Sequence, residues 1–111
     1  MITIANIRNP EVKVAIKNGD PRYVYCGRAN RWYGLAASKW GNPYSQPNAA
    51  GESPIVQYRR YLLGRADLMA ALPELKDKVL VCWCHPAPCH CDVLKELAER
   101  AIENDKNAHR G

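Results

Sequence analysis

The stretch that decides the fold is residues 78–92, KVLVCWCHPAPCHCD, which holds four of the five cysteines and two of the three histidines. Residues 78–81 are typical of a buried strand. Apolar residues then recur at helical spacing: Val93, Leu94, Leu97, Ala98, Ala101 and Ile102. The cysteines therefore lie between a strand and a helix N-terminus, where the helix dipole favours thiolates and anions. This position limits the chemistry to metal binding, thiolate chemistry or anion binding.

Turn signals and alternating apolar residues divide the rest of the chain. Alternation predicts strands at 2–7, 12–16 and 22–26. Ser53 before Pro54 predicts a helix that ends near Gly64, and a shorter helix follows at 67–72. We therefore expect one α/β domain over residues 1–104, with helices packed on a small, mainly parallel sheet of three to four strands. The polar residues 105–111 are expected to form a frayed tail.

Charge and cysteine content narrow the function. Residues 1–65 contain ten Lys and Arg and three acidic residues, whereas the rest of the chain contains six Lys and Arg and eight acidic residues. The net charge of the whole chain is +5. A basic N-terminal half favours a nucleotide or nucleic acid as partner. No apolar run or leader indicates a membrane or secretion, so we expect a cytoplasmic protein. An odd number of cysteines in such a chain favours thiols or metal ligands over disulfides.

The strands that end at Cys26 and Cys82 are predicted to be parallel neighbours, because two helices separate them in sequence. Ligands of open α/β sheets bind at the carboxyl ends of the strands. We therefore expect a ligand crevice that brings together the cysteine cluster and four binding residues: Gly27, Arg28, Trp40 and Asn42.

Each of these binding residues has a plain structural alternative. Arg28 is expected to hold an anion, Asn42 to orient it, and Trp40 or Tyr44 to stack on a base. Alternatively, Arg28 is a solvated surface residue, and the aromatic residues only pin their loop to the core.

The cysteine cluster fits three interpretations. A tetrahedral metal site, with zinc as the possible ion, would draw on Cys82, Cys84, Cys89 and either His90 or Cys91, and we take His90 as the fourth ligand. A catalytic site would use Cys82 or Cys89 as thiolate, His90 as proton partner and Asp92 in the first helical turn. Inert, partly buried cysteines are the third interpretation. Strand alternation places Cys82 and Cys84 on one face and Trp83 on the other, towards the core. The helix period turns Cys91 away from His90.

Three sequence segments resemble an uncharacterised family of small bacterial and phage proteins, a domain of unknown function with a Cys-Trp-Cys signature. They are VYCGR at 24–28, SKWGNPY at 38–44, and LVCWC at 80–84 continued by Pro86, Cys89-His90 and Asp92-Val93-Leu94. The chain departs from the family pattern at Tyr44, Cys26 and Cys91. The resemblance therefore implies that Cys26 and Cys91 are dispensable, and it implies no particular activity.

Together these observations lead to two functional hypotheses. The first is a small intracellular protein that binds or acts on a phosphate-bearing ligand by thiolate chemistry. The second is a non-enzymatic, zinc-stabilised module that binds nucleic acid or a host protein. Binding to nucleic acid is expected to be weak and salt-sensitive, through the cations Arg8, Lys13, Lys17, Arg22, Arg31 and Lys39. The sequence leaves open whether the protein is an enzyme and which oligomeric state it adopts.

Overall fold

Three short parallel strands form the sheet of the computed structural model, which describes the backbone of residues 1–108 and the side chains of residues 1–104. The strands are β1 (Thr3–Asn6), β2 (Tyr23–Tyr25) and β3 (Val79–Cys82). β3 lies in the middle and pairs in parallel with both neighbours, so that Leu80 stands opposite Ile4 and Val24. The predicted α/β class, the small parallel sheet and the pairing of β2 with β3 are confirmed.

Four α-helices and one 3₁₀ turn connect or follow the strands in the described part of the chain. They are α1 (Pro10–Lys17), α2 (Pro54–Leu63), α3 (Ala66–Ala71), the turn Leu72–Leu75, and α4 (His90–Ala108). The Ser53 side chain caps α2 by accepting a hydrogen bond from the Val56 N–H at 3.2 Å. The helix starts after Ser53 because proline suits the first helical position, where no N–H is needed.

The strand predicted at 12–16 is wrong, because these residues belong to α1. Asn9 caps this helix by accepting a hydrogen bond from the Glu11 N–H at 3.0 Å, and Pro10 occupies the first turn. Glu11 at the start and Lys17 at the end also match the helix dipole. These start and stop signals outweigh the short alternation of apolar residues. The helix also supplies the crossover that parallel strands require.

The sheet separates two apolar clusters. Leu80 points into the larger cluster with Tyr58, Leu62 and Leu94, which come from α2 and α4. Val81 points to the opposite face, where Ile7, Val12 and Leu35 pack among other residues. Neighbouring residues of a strand face opposite sides of a sheet, so β3 is apolar throughout because both of its faces are covered.

The helix α4 reaches Ala108, four residues beyond residue 104, where the predicted domain ends. The predicted frayed tail at 105–111 stays untested, since its side chains and residues 109–111 lie outside the described part. Within the described residues, none of the helices combines the length and the apolar character needed to cross a bilayer.

Candidate functional site

The carboxyl ends of β2 and β3 open onto a cavity of about 540 Å³. Parallel pairing places these two ends side by side, and α4 begins beside them. The cavity brings together seven of the residues predicted from the sequence: Gly27, Arg28, Asn42, Cys82, Cys84, Cys89 and His90. It does not bring Trp40 or Asp92 to its wall. A volume of this size is in the range of small-molecule sites, roughly 300–1,000 Å³.

Gly27 shapes the rim of the cavity because the side chain of Tyr25 lies against it. A Cβ atom at Gly27 would lie 2.3 Å from the Tyr25 hydroxyl oxygen. That hydroxyl donates a hydrogen bond to the Arg28 carbonyl at 2.6 Å and accepts one from Trp83 Nε1 at 2.8 Å. Gly27 is therefore explained by this close packing, whatever ligand the cavity takes.

Three sulfur atoms form the centre of the cysteine cluster. The Sγ atoms of Cys82, Cys89 and Cys91 all lie within 4.8 Å of one another, and all three residues are buried. Three such thiols could hold a metal ion. Cys84, which is exposed, and His90 are not in this group. The four predicted metal ligands all line the cavity, but only Cys82 and Cys89 among them lie this close to one another.

Two local features explain why the observed sulfur cluster contains Cys91 and not the predicted Cys84. β3 ends at Cys82, so the alternation that would place Cys84 beside Cys82 no longer applies. Cys91 lies in the first turn of α4, and helical side chains tilt towards the N-terminus. This tilt directs Cys91 back towards Cys89. The sequence predicted only that Cys91 turns away from His90, and it did not place Cys91 beside Cys82 and Cys89.

Cys89 and Asp92 cap the start of α4 reciprocally. The Cys89 sulfur accepts a hydrogen bond from the Cys91 N–H at 3.2 Å, and the Asp92 carboxylate accepts one from the Cys89 N–H at 2.9 Å. This arrangement resembles a capping box with a thiol in place of a hydroxyl. Asp92 is thus engaged at the helix start, away from the cavity wall.

Neighbouring hydrogen-bond donors lower the pKa of Cys82. The thiols of Cys89 and Cys91 donate to its sulfur, and the backbone N–H groups of His85 and Cys84 add to them, so the pKa of Cys82 is strongly lowered. The pKa of Cys89 is raised, first of all because its proton is held by Cys82. Of the two thiolates predicted from the sequence, the directions of these pKa shifts favour Cys82.

His90 is held as a neutral imidazole. Its Nε2 lies 2.6 Å from the Cys26 carbonyl oxygen, which only accepts, so the proton is on Nε2. Burial lowers the pKa of His90, and the ring packs edge-on against Tyr58 at 5.0 Å between centroids. Nδ1 is then an unprotonated acceptor, 4.0 Å from the Cys89 sulfur.

Cys26 extends the cluster on its buried side. It is fully buried, its thiol donates to the Val24 carbonyl at 3.4 Å, and its contact with Cys91 is the largest contribution to the raised pKa of Cys91. Both cysteines were judged dispensable by resemblance, yet the structure places them next to each other. The tilt of side chains at a helix start was the sequence signal that could have assigned Cys91 to the cluster.

The predicted ligand-binding residues differ in how far hydrogen bonds and burial restrain them. Arg28 is exposed and donates one hydrogen bond, to the Asn42 carbonyl at 3.4 Å. The Asn42 amide is occupied, because it donates to the Pro54 carbonyl and accepts from the Tyr44 N–H. Trp40 is buried and does not line the cavity, so it is not placed to stack on a ligand there, whereas Tyr44 lines the cavity.

Comparison with known proteins places the chain in a family. Residues 12–100 match the family described as domain of unknown function DUF4326. The chain belongs to this family. It is also similar to the uncharacterized protein R718 of Acanthamoeba polyphaga mimivirus, with 33% identity over 98 residues, 78% of this chain and 75% of the viral protein. No solved structure matches the chain.

Membership in the DUF4326 family confirms that the chain is part of an uncharacterised domain family. The bacterial or phage origin and the Cys-Trp-Cys signature, which the sequence predicted, stay predictions. The viral relative is named as uncharacterized, so it adds no activity.

Proposed function

We propose that this DUF4326 protein binds a small phosphate-bearing ligand, a nucleotide or a nucleic-acid component, in the cavity and acts on it through the Cys82 thiolate. One observation carries the proposal: Cys82, whose pKa is lowered by its hydrogen-bond donors, lines the same cavity as Arg28. Strongly shifted pKa values inside a cleft are typical of functional sites.

Arg28 would bind the phosphate of this ligand. Within the described residues it forms no ion pair, and its one hydrogen bond leaves most of its five N–H donors free. A guanidinium recognises phosphate oxygens in pairs, so this side chain suits the end of a nucleotide. The aromatic ring of Tyr44, which also lines the cavity, would contact the base.

Cys82 would act as the nucleophile: its Sγ would form a bond to an electrophilic carbon or phosphorus atom of the ligand while the bond from that atom to its leaving group breaks, and the leaving group would depart with the electron pair. Water would then cleave the sulfur-linked intermediate and regenerate the thiolate, and the proton that the water loses would pass to the leaving group through His90. The Cys89 and Cys91 thiols keep Cys82 ionised by donating hydrogen bonds. His90, neutral and with Nδ1 towards Cys89, would accept or return a proton during the reaction.

The ionisation of Cys82 is tested by measuring the ultraviolet absorbance of thiolates across a pH titration. The wild type, Cys82→Ser and the matched control Cys84→Ser are compared, because Cys84 is an exposed cysteine outside the cluster. We expect one thiolate to persist below pH 6 in the wild type and the control, and to be absent in Cys82→Ser. If every thiol titrates near the ordinary value of about 8.5, the proposal is wrong.

Ligand binding is tested separately with mononucleotides, by calorimetry on the wild type and on Arg28→Met. The substitution keeps an apolar stem and removes the charge, so we expect nucleotide affinity to fall about 10- to 100-fold. Arg100→Met serves as the control, since Arg100 is an exposed residue in the second half of α4. Equal affinities in all three proteins would remove Arg28 from the site.

A second candidate function is a zinc-stabilised, non-enzymatic module that binds nucleic acid or a host protein. The favouring observation is the group of three buried Sγ atoms within 4.8 Å of one another. Zinc–sulfur bonds of about 2.3 Å place tetrahedral ligands roughly 3.8 Å apart, so a small contraction would suffice. Thiolates are ligands that zinc prefers, and the residues present therefore fit the ion.

Elemental analysis of the purified protein separates the two candidates. The zinc module requires one equivalent of metal, unfolding upon chelation, and loss of the metal in Cys91→Ala but not in Cys84→Ala. The opposite pattern in these two variants would favour the ligand set predicted from the sequence. Metal-free protein that stays folded excludes the module and leaves the thiolate proposal.

A further inference from the structure

A surface of paired cations and aromatic rings adjoins the cavity. We call it the cation–aromatic surface, and it consists of Arg8, Lys13, Arg31, Trp32, Tyr33 and Trp83. The Arg8 guanidinium lies 5.4 Å from the Trp83 ring centre, and Lys13 Nζ lies 4.7 Å from that of Tyr33. The Tyr33 and Trp83 rings touch edge-on, with 4.9 Å between centroids, so these two pairs are contiguous.

Trp32 is the most exposed part of this surface. It is 87% exposed, and the Arg31 guanidinium lies 5.9 Å from its ring centre. The loop that carries it is closed by a pairing of Asn30 with Leu35, and the Asn30 side chain accepts a hydrogen bond from the Tyr33 N–H at 3.2 Å. The anchored loop holds the Trp32 side chain in solvent, although the neighbouring aromatic residue Tyr33 packs against the protein. Such an exposed apolar side chain on an ordered loop indicates a surface that binds a partner.

The charge of this region is positive and largely uncompensated. Residues 1–35 contain six Lys and Arg against two acidic residues, and one of the latter, Asp20, is paired with Arg22. Within the part of the chain that the structure describes, no carboxylate pairs with Arg8, Lys13 or Arg31. Cations that stand over aromatic rings without a carboxylate combine the two features that single-stranded nucleic acids require, charge for phosphates and rings for bases.

The surface is continuous with the cavity through Asn30 and Trp83, which line it. Trp83 also follows Cys82 directly in sequence. We propose that a single-stranded nucleic acid lies across the cation–aromatic surface and delivers one of its nucleotides to the cavity. This inference rests on the proposed function, because it takes the cavity ligand to be a nucleotide, and it identifies that nucleotide as part of a strand.

The experiment measures binding of fluorescein-labelled oligo-dT and oligo-rU by anisotropy at several NaCl concentrations. We expect Trp32→Ala to weaken binding about 5- to 100-fold, as the loss of a stacked base does. Lys13→Ala should reduce the slope of log affinity against log salt by about 0.7. Arg100→Ala is the charge-matched control and should bind like the wild type, because Arg100 lies about 15 Å along α4 from His90.

Two results would overturn the inference. One is unchanged oligonucleotide affinity in Trp32→Ala with a wild-type circular dichroism spectrum. The other is Trp32-dependent sedimentation with phosphatidylserine vesicles in the absence of oligonucleotide binding, which would assign the surface to membranes.

The same proteins keep this inference separate from the proposed function. Mononucleotide binding that depends on Arg28, without any oligonucleotide binding, would refute the strand and leave the cavity proposal in place. Trp32-dependent oligonucleotide binding that is indifferent to Arg28→Met and Cys82→Ser would support the surface and refute the cavity proposal.

Discussion

Replacing Gly27 with alanine tests whether the rim of the cavity is built as the structure indicates. The new Cβ would lie 2.3 Å from the Tyr25 hydroxyl oxygen, 2.6 Å from Cζ and 2.9 Å from Cε1. The Tyr25 ring cannot simply swing away, because Trp83 and the Arg28 carbonyl hold its hydroxyl. Either the ring or the backbone has to move.

The cost follows from the contacts that would break. Each of the two hydrogen bonds of the Tyr25 hydroxyl contributes about 0.5–1.5 kcal/mol. Lost packing of the displaced ring adds roughly another 1 kcal/mol. We therefore expect Gly27→Ala to lower the free energy of unfolding by about 2–4 kcal/mol.

Urea unfolding followed by circular dichroism measures this change, with Gly64→Ala as the matched control. The backbone of Gly64 has φ −86°, and a Cβ there would meet its nearest atoms at ordinary distances of 3.5 and 3.6 Å. We expect the control to change stability by less than about 0.5 kcal/mol.

A double-mutant cycle shows whether Tyr25 is the cause. In a Tyr25→Leu background the hydroxyl and the outer ring atoms are gone, so Gly27→Ala should cost less than about 1 kcal/mol. A cost that is equal in both backgrounds, or a Gly27→Ala protein as stable as the wild type, would refute the reasoning.

Three further predictions concern the cysteine cluster and its surroundings. Cys89→Ser should leave the free energy of unfolding within about 1 kcal/mol of the wild-type value, since serine also caps helices. The same substitution should abolish nucleotide turnover or metal binding. Full retention of function would mean that Cys89 has a structural role only. Tyr58→Phe should destabilise the protein by about 1–2 kcal/mol in urea, because the buried Trp40 carbonyl loses its hydrogen bond from the Tyr58 hydroxyl at 2.7 Å; no change would contradict this bond. The pKa of His90 is lowered from its usual 6.5 by burial. As the pH falls, the unfolded state therefore binds a proton at a higher pH than the folded state does. Stability should therefore be fully present above about pH 6.5 and fall below it, by up to about 1.4 kcal/mol per pH unit, and His90→Gln should show a flatter profile.

Local sequence determined most of the fold. The proline after Ser53, the apolar run of 78–81 and the period of α4 act within one or two turns of chain, so they specify helix starts and strands without distant contacts. The parallel pairing of β2 with β3 was also predicted from the sequence, because two helices separate the strands along the chain. Because β2 and β3 pair in parallel, Arg28, Cys82 and Cys89 line the same cavity.

Only the tertiary structure decided which side chains take part in the site. Cys91 lies in the sulfur cluster with Cys82 because α4 begins beside the end of β3. Cys84 lies outside the cluster because the strand ends before it. Trp40 is buried because α2 packs over it and Tyr58 binds its carbonyl. These outcomes depend on where strands and helices end and on how they pack. The local sequence pattern does not specify the distances between residues that are remote along the chain.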